Sequence, residues 1–257
     1  MNSKIKTSVV LFGILEENSD NYRKLSEKSL GVLLIKTKKG YVLPEYECDD
    51  LIDLDEQSLK AIGASCGLKD VYVEQLYTFS KVKDNLLCIN PVFLGLISKS
   101  QMYNGLKDEC FWCELKIDEK KDVYNCVVVN EKDSFEFKVS KTLKEHTTDR
   151  YKFSEITQGL LGDDIAIILI SAFERLRNKI GYTDIVFNMM GDKFTIKELQ
   201  QVYETISNKK LLDAAFRRTI IDKIEETDDI LTGIGCRPSK MYKYKEKNVW
   251  KLKKKFI

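Results

Sequence analysis

Two short apolar, β-branched runs open the chain, Thr7 to Leu15 (TSVVLFGIL) and Leu30 to Lys36 (LGVLLIK). Their continuity, without polar alternation, predicts strands buried on both faces. The polar segment between them is a loop by composition, and Lys38-Lys39-Gly40 marks a turn into Tyr41-Val42-Leu43-Pro44. From Asp55 to Gly67, Leu59, Ile62 and Cys66 recur at helical spacing, and Gly67 stands where a helix would close. Leu68 to Phe79, Leu86 to Ile97 and Cys110 to Leu115 read as further strands. Val123 to Val129 and Phe135 to Val139 read as a hairpin about Asn130-Glu131-Lys132-Asp133. Residues 163 to 180 form the longest periodic stretch, with Asp163 or Asp164 as cap and Ile165, Leu169, Ala172, Phe173, Leu176 and Ile180 on one stripe. Such a helix can be core, a rigid spacer or a dimer seam.

The pattern changes after residue 190. Thr195 followed three positions later by Glu198 is a capping-box arrangement, and Ile196, Leu199, Val202, Tyr203 and Ile206 then fall on one face. Ser207-Asn208 with Lys209-Lys210 breaks the helix. Asp213 is a natural N-cap for a second helix with Phe216, Ile220, Ile221 and Ile224 inward and Arg217, Arg218 and Lys223 outward. After the acidic stretch Glu225 to Asp229, Ile230-Leu231 and Met241 to Tyr244 flank a glycine-rich tip carrying Arg237 and Pro238. Helix, turn, helix and glycine-tipped hairpin are the outline of a winged helix. Cations on its second helix and wing suit phosphate and groove contacts, so Lys210, Arg217, Arg218, Arg237, Ser239 and Lys240 are the expected DNA-binding residues.

Charge supports that reading because it is local. From Lys193 onward there are 16 Lys+Arg and 9 Asp+Glu, a net +7, so the preceding 192 residues hold 26 and 31, a net −5. A solvated helical cap with a Lys-rich tail is the alternative reading of charge alone. With 257 residues and 43% hydrophobic composition the chain can bury a core and accommodate two domains. No apolar run has the length of a membrane span and the first residues lack a signal-peptide pattern, so the expected location is the cytoplasm. Seven cysteines form an odd number without a framework and read as reduced thiols. Cys110 and Cys113 make a lone C-x-x-C inside a predicted strand, and His146 is far away, so no metal site is expected.

The order Leu43-Pro44, helix, Gly67-Leu68, then DVYVEQLYTF from Asp70 resembles the Nudix family. It most resembles the Nudix-related transcriptional regulators, which join such a domain to a winged helix. AFERLRNKIGYTDIVFNMMGDKFTIKELQQVYE from Ala172 and GCRPSKMYKY from Gly235 are similar to the joining helix, first DNA-binding helix and wing of those regulators. The Nudix signature opens on a glycine and ends REUxEExGU, with U aliphatic; its glutamates hold Mg²⁺ against a diphosphate. Aligning its final G-U with Gly67-Leu68 places Tyr46 at the first glycine, Ile52 at the first glutamate and Lys60 at the arginine. Ala61, Ala64 and Ser65 then stand at the helical glutamates. Asp49, Asp50, Asp53 and Asp55 precede the helix and would not present the same face.

The resemblance implies an α+β protein: a Nudix-like mixed sheet sandwiched by helices over residues 1–160, a connecting helix over 161–190 and a winged helix-turn-helix domain over 191–257. It implies a transcriptional regulator, without a cofactor, whose non-catalytic Nudix-like domain senses a nucleotide-sugar-like or sugar effector. The expected partners are a double-stranded DNA operator, that effector and a second copy of the chain, with no membrane. A divergent hydrolase of nucleoside diphosphate derivatives is the second reading, and a winged helix that binds protein is the third.

Overall fold

The computed structural model of the chain describes residues 3–17, 26–47, 51–143, 151–155, 161, 164–232 and 238–245. Alternation in three central strands dictates its layers. In β1 (Ser3–Glu17), Val9 and Leu11 pack into one core while Val10, Phe12 and Ile14 pack into the other. β2 (Glu27–Thr37) divides Leu33 from Val32 and Leu34, and β6 (Leu86–Leu96) divides Phe93 from Val92 and Leu94. A sheet apolar on both faces must be covered on both. Helix α1 (Leu54–Cys66) covers the first face through Ala61, Ile62 and Cys66, and α2 (Ile165–Lys179) covers the second.

The remaining strands are β3 (Gly40–Val42), β4 (Glu45–Glu47), β5 (Tyr72–Lys83), β7 (Cys110–Lys120), β8 (Val123–Val129), β9 (Ser134–Leu143) and β10 (Tyr151–Glu155). Their order is β10-β9-β8-β7-β2-β1-β6-β5, with β3 on β2 and β4 on β1. β1 and β6 run parallel, whereas the neighbouring pairs β1–β2 and β5–β6 are antiparallel, so the sheet is mixed. Among the described residues no helix is long and apolar enough to cross a membrane.

Several elements depart from the periodicity. β1 starts at Ser3, ahead of the apolar run, because Ser3, Lys4 and Ile5 pair with Leu87, Cys88 and Ile89 of β6; Lys4 and Lys6 also form ion pairs with Glu47 and Glu45 on β4 at 2.6 and 2.7 Å. β5 begins at Tyr72 rather than Leu68, after Asp70 takes a left-handed turn with φ 53°. Asp164 stands at the N-cap of α2, its carbonyl accepting from the Ile168 amide at 3.0 Å, but it is left-handed and its side chain, paired with Lys81 at 3.0 Å, makes no capping bond. Asp163 lies outside the described residues.

Of the three roles open to α2, core is the one it fills. Ile165, Ala166, Ile168, Leu169, Ile170, Ala172, Phe173 and Leu176 are all buried within the chain, on more than one helical stripe. Its polar edge is tied to the sheet as well. Glu174 accepts hydrogen bonds from the Tyr124 hydroxyl at 2.9 Å and Lys141 at 3.4 Å, and Arg177 joins Glu174 to Glu119. The same apolar cluster continues without a break into Phe194, Leu199, Val202, Ile206, Phe216, Ile220, Ile224 and Tyr242.

Candidate nucleic-acid interface

The C-terminal part is organised by α3 (Ile196–Ser207). Its capping box forms as expected: the Glu198 amide donates to Thr195 Oγ1 at 3.2 Å and the Thr195 amide to Glu198 Oε2 at 2.7 Å. Leu199, Val202 and Ile206 are buried, and Asn208 ends the helix in a left-handed turn. Gln200, 2% exposed, anchors the turn into the second helix: its Nε2 donates to the Leu211 carbonyl at 3.0 Å and to Asp213 Oδ1 at 2.8 Å.

The second helix, α4 (Asp213–Ile220), is shorter than its periodicity predicts. Asp213 is its first residue and not its cap, since its carboxylate is taken by Gln200 and by Lys197 at 3.2 Å. Those two partners, Gln200 first, hold the Asp213 carboxyl below its ordinary range. Only Phe216 and Ile220 form the buried face. Ile221 is 39% exposed in a 3-10 turn (Ile221–Lys223), and Ile224 already belongs to the next strand. Lys223, expected to point outward, is held by Asp184 at 2.7 Å.

The wing consists of β11 (Ile224–Leu231) and β12 (Ser239–Tyr244), antiparallel with a register shift between Glu226 and Ile230. The acidic stretch expected to precede the wing is therefore part of it. Cations on β12 face it: Lys243 pairs with Glu225 and Lys240 with Glu226, each at 2.5 Å. Tyr242 and Phe194 exchange backbone hydrogen bonds at 2.9 and 2.8 Å, and Tyr244 stacks on Phe187 with centroids 4.1 Å apart. These contacts fix the root of the wing to the segment before α3.

Arg217 and Arg218 are exposed on α4 and, among the described residues, have no ion-pair partner. Ser239 and Lys240 are exposed on the wing strand. The hydrogen bond from Lys240 to Glu226 raises the lysine above its ordinary pKa, while the positive charge of Arg217 works against it. Arg217 on α4 and Lys240 on β12 both face solvent. Lys210, with 93% of its side chain exposed, stands in the turn before α4 and pairs with Glu204 at 3.0 Å. Arg237 lies outside the described residues. Periodicity singled out neither Lys197 nor Lys243, whose only signal was the local excess of charge, and it carried no signal for the buried role of Gln200.

Residues 186–244 match the family model described as the NrtR DNA-binding winged helix domain. They form a winged helix. Over 79 residues the chain is 40% identical to the ADPR responsive transcriptional repressor NtrR of Acinetobacter baylyi, an alignment covering 30% of this chain. The chain spans only 31% of the length of that curated relative. Its overall fold is similar to a MutT/nudix family protein from Enterococcus faecalis, with TM-score 0.68, 19% identity and coverage of 95% of this chain and 87% of that one. It is similar also to Shewanella oneidensis NrtR complexed with a 27mer DNA, with TM-score 0.61, 20% identity and coverage of 94% and 93%. At these identities the likeness is one of fold: a Nudix-type domain joined to a winged helix.

Within the Nudix-type domain, the residues that sequence alignment sets against the family signature each have a local role. Ala61 is buried against the sheet, and Ala64 is exposed, its carbonyl accepting from Lys107 at 2.5 Å. Ser65 donates to the Glu45 carbonyl at 3.1 Å. Lys60 lies over the Tyr46 ring, 5.8 Å from its centroid, and 3.9 Å from Glu56. Ile52 is half-buried just before α1, where its carbonyl accepts from Gln57 at 3.0 Å. Asp53 is committed as the N-cap of α1, accepting from the Glu56 amide at 2.8 Å, and Asp55 sits in the first turn. Among the described residues no group of three or more His, Cys, Asp or Glu could hold a metal ion. Asp49 and Asp50 lie outside those residues.

Proposed function

We propose that this chain is a DNA-binding transcriptional regulator whose Nudix-type domain senses a nucleotide sugar and does not hydrolyse it. The observation that carries this reading is the match of residues 186–244 to the NrtR DNA-binding winged helix domain, with Arg217 and Arg218 of α4 and Lys240 of the wing exposed on it. In it, Arg217 and Arg218 enter the major groove from α4, Ser239, Lys240 and Arg237 on the wing hold the adjacent backbone or minor groove, and Lys210 approaches the phosphates. The relative in Acinetobacter baylyi is named for its response to ADPR, which supports a nucleotide-sugar effector of that class here.

The non-enzymatic half of the proposal rests on chemistry. Mg²⁺ needs oxygen ligands, usually one or two carboxylates alongside substrate phosphates. The α1 face instead offers Lys60, Ala61, Ala64 and Ser65, which do not suit that ion. The domain division at residues 160 and 190, a cytoplasmic location and a two-fold dimer reading a roughly palindromic site belong to the same proposal. Effector control requires that the effector favour one placement of the paired winged helices, because only a differential affinity shifts such an equilibrium.

The test is enrichment of duplexes from a randomised library by the full chain, and then fluorescence anisotropy at several salt concentrations. Expected are a selected sequence, a steep salt dependence, and loss of about tenfold or more in affinity for Arg217→Ala or Arg218→Ala. Failure to enrich any sequence would overturn it. So would release of phosphate-bearing products from a nucleotide-sugar panel with Mg²⁺ or Mn²⁺, for the sensing half.

A further inference from the structure

The cations of the DNA-reading face are not equivalent. On α4, Arg217 and Arg218 have no ion-pair partner among the described residues. On the wing, each lysine of β12 is matched by a carboxylate of β11: Lys240 by Glu226 and Lys243 by Glu225. Among the described residues, α4 leaves its arginines unpaired while β12 has both its lysines in ion pairs.

Glu226 occupies a particular place in this pattern. It stands opposite Tyr242 in the strand register, on the wing face whose root packs into the core through Ile224 and Tyr242. Toward the tip that face opens to solvent, with 63% of the Lys240 side chain and 49% of Glu226 exposed. There Glu226 holds Lys240 at 2.5 Å, on the face of the wing that Tyr242 packs into one core with Phe216 and Ile220 of α4. An ion pair this exposed is weak and open to exchange. A duplex seated on α4 brings a phosphate close enough to replace Glu226 as the partner of Lys240. DNA held only by diffuse attraction does not, and it meets a neutral pair and a nearby negative charge. Because non-specific binding is almost wholly electrostatic, such a device lowers it more than specific binding.

We propose that Glu226 is a specificity-determining residue of this interface, which holds Lys240 in an internal ion pair and yields it only to a correctly docked duplex. The inference rests on the DNA-binding reading above and goes beyond it by giving a role to an acidic residue.

The experiment compares wild type, Glu226→Gln, Lys240→Ala and the double variant on two probes, a duplex enriched by the wild-type chain and a scrambled duplex of the same length. Glu226→Gln is expected to bind the scrambled duplex about threefold tighter, with a salt slope steeper by about 0.9, and to gain less on the enriched duplex. In the Lys240→Ala background the slope change is expected to vanish. If wild type binds neither duplex, the DNA-binding reading falls and this inference with it. If wild type binds the enriched duplex but Glu226→Gln leaves affinities and slopes where they were, only the role of Glu226 is overturned. A slope change that survives removal of Lys240 also overturns it, since Glu226 would then act by plain repulsion.

Discussion

The Thr205 hydroxyl of α3 donates to the main-chain carbonyl of Lys28 in β2 at 3.1 Å, joining residues 177 positions apart. One turn earlier, Gln201 Nε2 donates to the Ser26 carbonyl at 3.3 Å. The winged helix is therefore hydrogen-bonded to the end of the β1–β2 pair as well as continuous with its core. Thr205→Val keeps the shape and removes the donor to the Lys28 carbonyl. It is expected to cost about 1 kcal/mol while preserving a single unfolding transition. Thermal melts monitored by near-UV and far-UV circular dichroism check this; separate transitions for the two parts in the wild type would contradict a shared core.

Leu169 is fully buried at the centre of α2. Leu169→Ala is expected to destabilise the chain by about 2–5 kcal/mol, through lost transfer energy and the cavity left behind. The loss should be the same at low and high protein concentration, because the contacts are within one chain. Urea titrations over a wide concentration range make the measurement, and a loss that shrinks as concentration rises would place α2 in a subunit seam.

The same end of the sheet carries an acid-sensitive pair. Burial alone would raise the Glu16 carboxyl, but hydrogen bonds and charge from Lys28 and Lys99 outweigh it and hold the group below its ordinary 4.5. A depressed folded pKa contributes stability that is present above the unfolded value and lost as pH falls through the folded one. The wild type should thus lose stability below about pH 4.5. Glu16→Gln, which leaves the 6% exposed Lys28 side chain without this partner, should be less stable at neutral pH. The difference between the two proteins is expected to narrow on acidification, as read from urea midpoints at successive pH values.

Gly67 closes α1 at φ 80°, and a Cβ there would lie 2.2 Å from the Gly105 carbonyl oxygen. Both backbone strain and collision act against any side chain. Gly67→Ala is expected to cost more than about 1 kcal/mol, whereas Gly63→Ala, with no atom nearer than 3.9 Å, should be neutral or stabilising. Chemical denaturation of the two variants separates these effects.

Elements whose signals are local were legible in advance. The Thr195–Glu198 capping box, the left-handed closure at Gly67 and the apolar stripe of α3 depend on residues within one or two turns, so spacing reveals them. The charged end and the helix-helix-hairpin order pointed to the winged helix for the same reason. Where α4 stops was not legible, because Ile221 and Ile224 continue its apolar period and only the pairing of Ile224 with Tyr244 draws the chain into a strand.

What the sequence determined by itself is the set of elements, the two-sided burial of the central strands and the concentration of positive charge after residue 192. Tertiary structure alone decided the rest: that α2 is core, that an acidic stretch becomes a wing strand, and that Lys240 is paired with Glu226. Those outcomes depend on partners far along the chain. A carboxylate such as Glu226 reads as a linker charge until Lys240, 14 residues later, is brought across from it by the closing of the wing.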